Sequence, residues 1–273
     1  MDWLQYEFMQ RALAMGLLSG ATCGVLGVFI VLWRIGFIGI CISHAAFAGA
    51  LLALWGGLPA LPGALIGSVG AASVAGPLTR KATFTPDAAV SIIFSVMLSL
   101  AILALGMLPA SQTDGLTFLW GNLLTAQWSD IGVMGGITVV LVGFLWLFFK
   151  EIQATLTQRE AAEAMGLPVK AIYYGSLTLL SLIVAFSLQS IGGLLIYALM
   201  VTPAVTALQL CSSLKATFWS AAGFGALSVV IGLVASTAWA IPTGVAIVLS
   251  ATVLLMVAYA ISPNVIRFVS LNG

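Results

Sequence analysis

Charge is what this chain lacks. Nine Lys and Arg and eight Asp and Glu make up only 6% of 273 residues, against roughly a quarter in a soluble domain. With 62% hydrophobic residues and a mean hydropathy of +1.18, a water-soluble globular fold is excluded. A formal charge of +1 without basic clusters excludes a nucleic-acid binder. The three cysteines, Cys23, Cys41 and Cys211, fall in or beside apolar runs and form no paired framework, which argues against a disulfide scaffold. No G-x-x-x-x-G-K-[ST] run occurs, so the chain has no phosphate-cradling loop and no cofactor of its own is expected. There is likewise no H-E-x-x-H helix and no usable Ser/His/Asp set, so the chain is not expected to be an enzyme. Its carboxylates lie outside the apolar runs or at their ends, which leaves no ionisable relay at membrane depth for proton-coupled antiport. The acidic start M-D-W-L-Q-Y-E lacks a basic n-region, so no cleavable signal peptide is expected.

What the chain has is apolar length. A spanning helix needs about 20 apolar residues, and nine segments qualify: 12–33, 36–56, 59–79, 87–107, 131–149, 171–188, 191–212, 217–237 and 244–262. Only Gln189-Ser190 separates the sixth from the seventh, so a merged or re-entrant arrangement would leave eight. The expectation is an all-α polytopic membrane protein, a single transmembrane domain over 1–273. With nine spans and 150–170 in the cytoplasm, Arg34, Arg80, Lys81, Lys150, Arg159, Lys170, Lys215 and Arg267 are all cytoplasmic and only Arg11 is external. The positive-inside rule therefore favours an external N-terminus and an external loop 108–130, which carries Asp114, Trp120, Asn122, Trp128 and Asp130. Gly20-x-x-x-Gly24 and Gly63-x-x-x-Gly67 allow close helix approach. Pro203, inside the seventh span, is expected to break its helix.

Two places could carry function. The stretch Lys150 to Lys170 holds six of the charged residues and is the one plainly hydrophilic segment. Thr157 and Glu160 have capping-box spacing, Ala161, Ala162, Glu163 and Ala164 favour helix, Gly166 can supply a left-handed turn, and Pro168 stops continuation. A helix over about 157–165 follows, either an ordinary polar loop helix or one pressed into a partner at the membrane surface. The second place is His44, the sole histidine, with Cys41 three residues earlier on the same face of the second span. An imidazole and a soft sulfur suit zinc or another borderline metal. The alternative is a neutral ring hydrogen-bonded to a neighbouring carbonyl.

The run G-I-C-I-S-H-A-A-F-A-G (39–49) resembles the G-D-x-x-S-H-A-x-x-P-G signature of the metal-ion permeases of ATP-binding-cassette importers, the zinc/manganese/iron uptake type. F-L-W-G-N-L-L (118–124) with Asp130, E-A-A-E-A-M-G-L-P (160–168), G-G-L-L-I-Y-A-L-M-V-T-P-A-V-T-A (192–207) and I-P-T-G-V-A-I-V-L (241–249) resemble further family segments, in one order along nearly the whole chain. The resemblance implies a type II importer-like permease bundle in the bacterial inner membrane. It would form a homodimer, dock two cytoplasmic ATPases that bind ATP and Mg, and receive cargo from an extracytoplasmic solute-binding protein. It makes Thr157, Arg159, Glu160, Ala161, Ala162, Glu163 and Gly166 the coupling helix, and His44 with Cys41 the metal path. Three positions depart from the family: Ile40 and Ala240 stand where it has Asp, and Ala48 where it has Pro. The cargo is then a divalent metal ion, a metal chelate or another solute. The competing reading is a non-transport intramembrane protein, an assembly factor or an enzyme, using His44 and Cys41.

Overall fold

The structure is a computed structural model that describes residues 6–80, 85–108 and 121–262. Eleven α-helices follow in order among the described residues: α1 (Glu7–Leu32), α2 (Ile38–Trp55), α3 (Ala60–Arg80), α4 (Pro86–Met107), α5 (Trp128–Leu147), α6 (Phe149–Thr157), α7 (Arg159–Ala164), α8 (Val169–Ile191), α9 (Gly193–Leu210), α10 (Leu214–Trp239) and α11 (Thr243–Ile261). A 3-10 turn, Leu123–Thr125, precedes α5. All but α6 and α7 are long and apolar enough to cross a bilayer, which makes nine spans among the described residues. The nine-span alternative is thus the one realised. Part of the expected external loop, 109–120, and the basic residues Lys81 and Arg267 lie outside the described residues.

Three of the helices start where a side chain supplies a missing backbone partner. Thr85 accepts from the Ala88 amide at 3.4 Å ahead of Pro86, and Ser213 accepts from the Ala216 amide at 3.4 Å. Both satisfy donors that the first helical turn leaves orphaned. Asp130 reaches back in the same way, accepting from the Gln127 amide at 3.0 Å at the start of α5.

Glycine then sets which helices meet. A Cβ on Gly20 or Gly24 of α1 would press on the backbone of Gly225 or Ala221 of α10, and one on Gly49 of α2 would overlap Gly63 of α3. Gly27 faces the Met200 carbonyl of α9 with no room for any side chain. These contacts tie α1 to α9 and α10, and α2 to α3. The first group, with α11, and the second, with α4 and α8, meet where α2 packs on α9. The outward surface is apolar, as a bilayer requires: Val139, Trp146 and Leu147 of α5 are all largely exposed.

Two expectations are corrected. Pro203 lies within α9, which runs from Gly193 to Leu210 without a break. Proline removes the hydrogen bond to the Leu199 carbonyl, but Pro203 is buried and α1 closes on Met200 and Ala204 around it, so packing holds the helix together. The break falls instead at Gly192, whose φ of +86° favours glycine and which separates α8 from α9. Gln189 and Ser190, expected to separate those spans, are inside α8.

Candidate functional site

His44 is the seventh residue of α2 and is buried, with 6% of its surface exposed. Its Nδ1 lies 2.9 Å from the Ile40 carbonyl. A carbonyl only accepts, so Nδ1 carries the proton and Nε2 the lone pair. The Phe94 ring of α4 meets the imidazole edge-on at 4.8 Å between centroids, and Phe37, before α2, meets Phe94 at 5.3 Å. Backbone tether and aromatic wall together orient the ring. Nε2 makes no hydrogen bond to a described residue and is the atom left to act. Cys41 is fully buried on α2. No group of three His, Cys, Asp or Glu residues comes together among the described residues. The ring therefore has the carbonyl bond of the structural alternative and a nitrogen in reserve. Phe37 and Phe94 were not picked out from sequence; aromatics are common in apolar spans and only the fold brings them to the histidine.

A cavity of about 110 Å³ opens farther along α2, where Ala50, Ala64 of α3, Ser129 and Asp130 of α5 and Ser190 of α8 converge. Asp130, carried by the external-loop resemblance, is thus half-buried at the same end of α2 as this cavity, with its carboxylate already engaged by Gln127.

The water-facing segment folds as two short helices rather than one. The expected capping box is absent: the N-cap of α7 is Gln158, which makes no side-chain cap bond. Thr157 instead ends α6, and its hydroxyl donates back to the Gln153 carbonyl at 2.8 Å. A helical Thr finds that carbonyl one turn behind it, which competes with capping. The C-terminal expectation holds. Gly166 has φ +78°, its amide donates to Glu163 at 3.1 Å, and Leu167 donates to Ala162 at 3.1 Å, the paired bonds of a Schellman turn. Pro168 serves as the N-cap of α8.

Ala162 is fully buried and seats α7 on the bundle, while Glu160, Glu163 and Met165 are exposed. The Arg159–Glu163 pair is long, 3.8 Å, and solvent-screened, so it contributes little. More informative is the Arg159 guanidinium 5.6 Å above the Tyr173 ring of α8. Tyr173 in turn meets Trp33, at the end of α1, at 4.9 Å, and its hydroxyl lies 2.9 Å from Thr79 Oγ1 of α3. One buried tyrosine therefore links α7 to three spans. Tyr173 lies just past the hydrophilic stretch, and no sequence pattern separated it from Tyr174.

A nine-span helical bundle with a small water-facing helix seated on its spans is a polytopic membrane protein. The ABC 3 transport family model matches residues 5–262, and the chain belongs to that family. The manganese transport system membrane protein MntC of Listeria monocytogenes is 34% identical over 96% of this chain and 93% of the relative. The manganese import system permease protein ScaB of Streptococcus parasanguinis is 32% identical over 95% and 92%. Among solved structures, PsaBC from Streptococcus pneumoniae in complex with Fab matches with a TM-score of 0.86 at 32% identity, covering 100% of this chain and 98% of that one. The chain is accordingly the multi-pass inner-membrane permease subunit of an ATP-binding-cassette importer, and ATP hydrolysis belongs to a separate subunit. Membership implies an ATPase and a solute-binding protein as partners.

Proposed function

We propose that this permease carries a divalent transition-metal ion, manganese first, past His44 into the cytoplasm, in a complex of two permease copies and two ATPases. The carrying observation is the imidazole tethered through Nδ1 and walled by Phe94, with Nε2 left as a neutral nitrogen donor. The relatives named for manganese support the choice of cargo. Ile40 and Ala240, in place of two family carboxylates, leave a donor set with fewer hard oxygens, so zinc is the expected competitor. Orientation follows from the basic residues: eight of nine fall on the α6–α7 side when the N-terminus is external. On this reading α7 receives the ATPase. Closure of the ATPases on ATP favours one of two bundle arrangements by differential binding, and Arg159, Tyr173 and Trp33 are the contacts through which α7 would bias α1, α3 and α8.

The test is manganese uptake by vesicles holding the assembled complex, with zinc and ferrous iron as competitors. His44→Ala and His44→Gln should both abolish uptake while dimer yield and ATPase docking stay intact. Gln keeps a polar contact but has no ring nitrogen to offer a metal. Near-normal uptake by His44→Gln would make the histidine structural and remove it from the path.

A further inference from the structure

We propose that the groove between α1, α5 and α10 is a binding site for an anionic phospholipid in the leaflet on the α6–α7 side. The groove is large, about 490 Å³, and lies open to the surroundings of the bundle rather than on the His44 side. At its deep end Thr22 and Thr138 meet hydroxyl to hydroxyl at 3.1 Å. Each hydroxyl has one proton to give, either to a carbonyl of its own helix, Leu18 for Thr22 and Met134 for Thr138, or to the other hydroxyl, so neither donor is left over. Their polar capacity is satisfied, so the wall they present is effectively apolar and suits a hydrocarbon chain. From Thr138 to Trp146 the groove follows eight residues of α5, about 12 Å at 1.5 Å per residue. A single leaflet's hydrocarbon is about 15 Å deep. The groove thus has the length of one acyl chain layer.

Its other end is basic. Lys215 lines it, exposed, in the first turn of α10, where the helix dipole is already positive. Lys150 follows Phe149, another lining residue, and is also exposed. Neither lysine pairs with a carboxylate among the described residues. Trp146 and Trp219 stand at the rim, 82% and 67% exposed, at the headgroup level where amphipathic rings settle. A zwitterionic lipid would fill the apolar part equally well. Only an anionic headgroup also answers the uncompensated charge of Lys215. The inference is independent of the cargo.

The experiment uses the full chain with its ATPase in phosphatidylcholine nanodiscs doped with phosphatidylglycerol carrying a photoreactive acyl chain. Cross-links should map to Leu141, Val142 and Trp219. The matching phosphatidylcholine probe should label these residues about fivefold less, since one lysine near the membrane surface is worth about a factor of that size. Lys215→Glu should lower the phosphatidylglycerol labelling by at least that factor, with Lys215→Arg retaining it and Lys215→Gln falling between. Lys215 is exposed, so these variants keep the fold, which thermal unfolding of each would verify. Equal labelling by both probes, or labelling unchanged in Lys215→Glu, overturns the proposal. So does disulfide capture of a second polypeptide by Val142→Cys, which would make the groove a protein seam.

Discussion

The membrane bundle and the segment from Phe149 to Ala164 treat their unfinished surfaces in opposite ways. In the bundle, glycines bring backbones into contact and buried hydroxyls bond the carbonyl one turn back, as Ser43 does with Gly39 at 2.8 Å and Ser176 with Ile172 at 2.9 Å. In α6 and α7, burial is confined to Ile152, Thr155 and Ala162, and Met165 leaves 69% of an apolar side chain in water. The first region is packed by its own chain, while the second leaves most of its surface exposed. On the function proposed above, both are needed, because a moving bundle must stay intact while its handle stays available.

The sharpest way to break that contrast is to add a side chain to the bundle. Gly27→Leu drives its first carbon into the Met200 carbonyl, which backbone cannot vacate cheaply. We expect a loss of about 3 kcal/mol or more and failure to recover monodisperse protein by size-exclusion chromatography. The same chemistry at Met165 should do the reverse. Met165→Glu, on an exposed position, should leave the unfolding temperature of the isolated permease unchanged while weakening ATPase binding about tenfold in a pull-down titration. Unchanged affinity would mean that the exposed methionine faces only water. The smallest effect is expected at Ala240, which caps α10 with φ +52° and is exposed. Left-handed alanine costs about 1–2 kcal/mol, and glycine removes that strain but adds unfolded-state entropy. Ala240→Gly should therefore raise stability by only about 0.5 kcal/mol, read from the shift in thermal unfolding.

Ala240 and Ile40 also show how far sequence carried the site. Both were visible as departures from a family signature, but their consequences were not. The family's Asp at 240 is a residue that tolerates the left-handed conformation, so the position has a backbone role that no motif displays. At Ile40 the carbonyl, not the side chain, holds His44. The helix over 157–165 was legible at its C-terminal end, because Gly166 before Leu167 and Pro168 offers the chain few other choices. Its N-terminal end was misread, since Thr157 chose the carbonyl behind it over the amide ahead.

By itself, then, the sequence determined the environment, the number of spans to within one, the family and the two candidate sites. Apolar run length against bilayer thickness, scarce charge and the S-H-A-A run near residue 44 are local properties. The tertiary structure alone decided that Pro203 does not break its helix, that Gly192 does separate two, and that Phe94 and Tyr173 matter. Each of those outcomes depends on which helix lies alongside. A proline's missing bond is tolerated only where neighbours hold the helix closed, and a ring orients a histidine or a guanidinium only when packing brings it within about 5–6 Å.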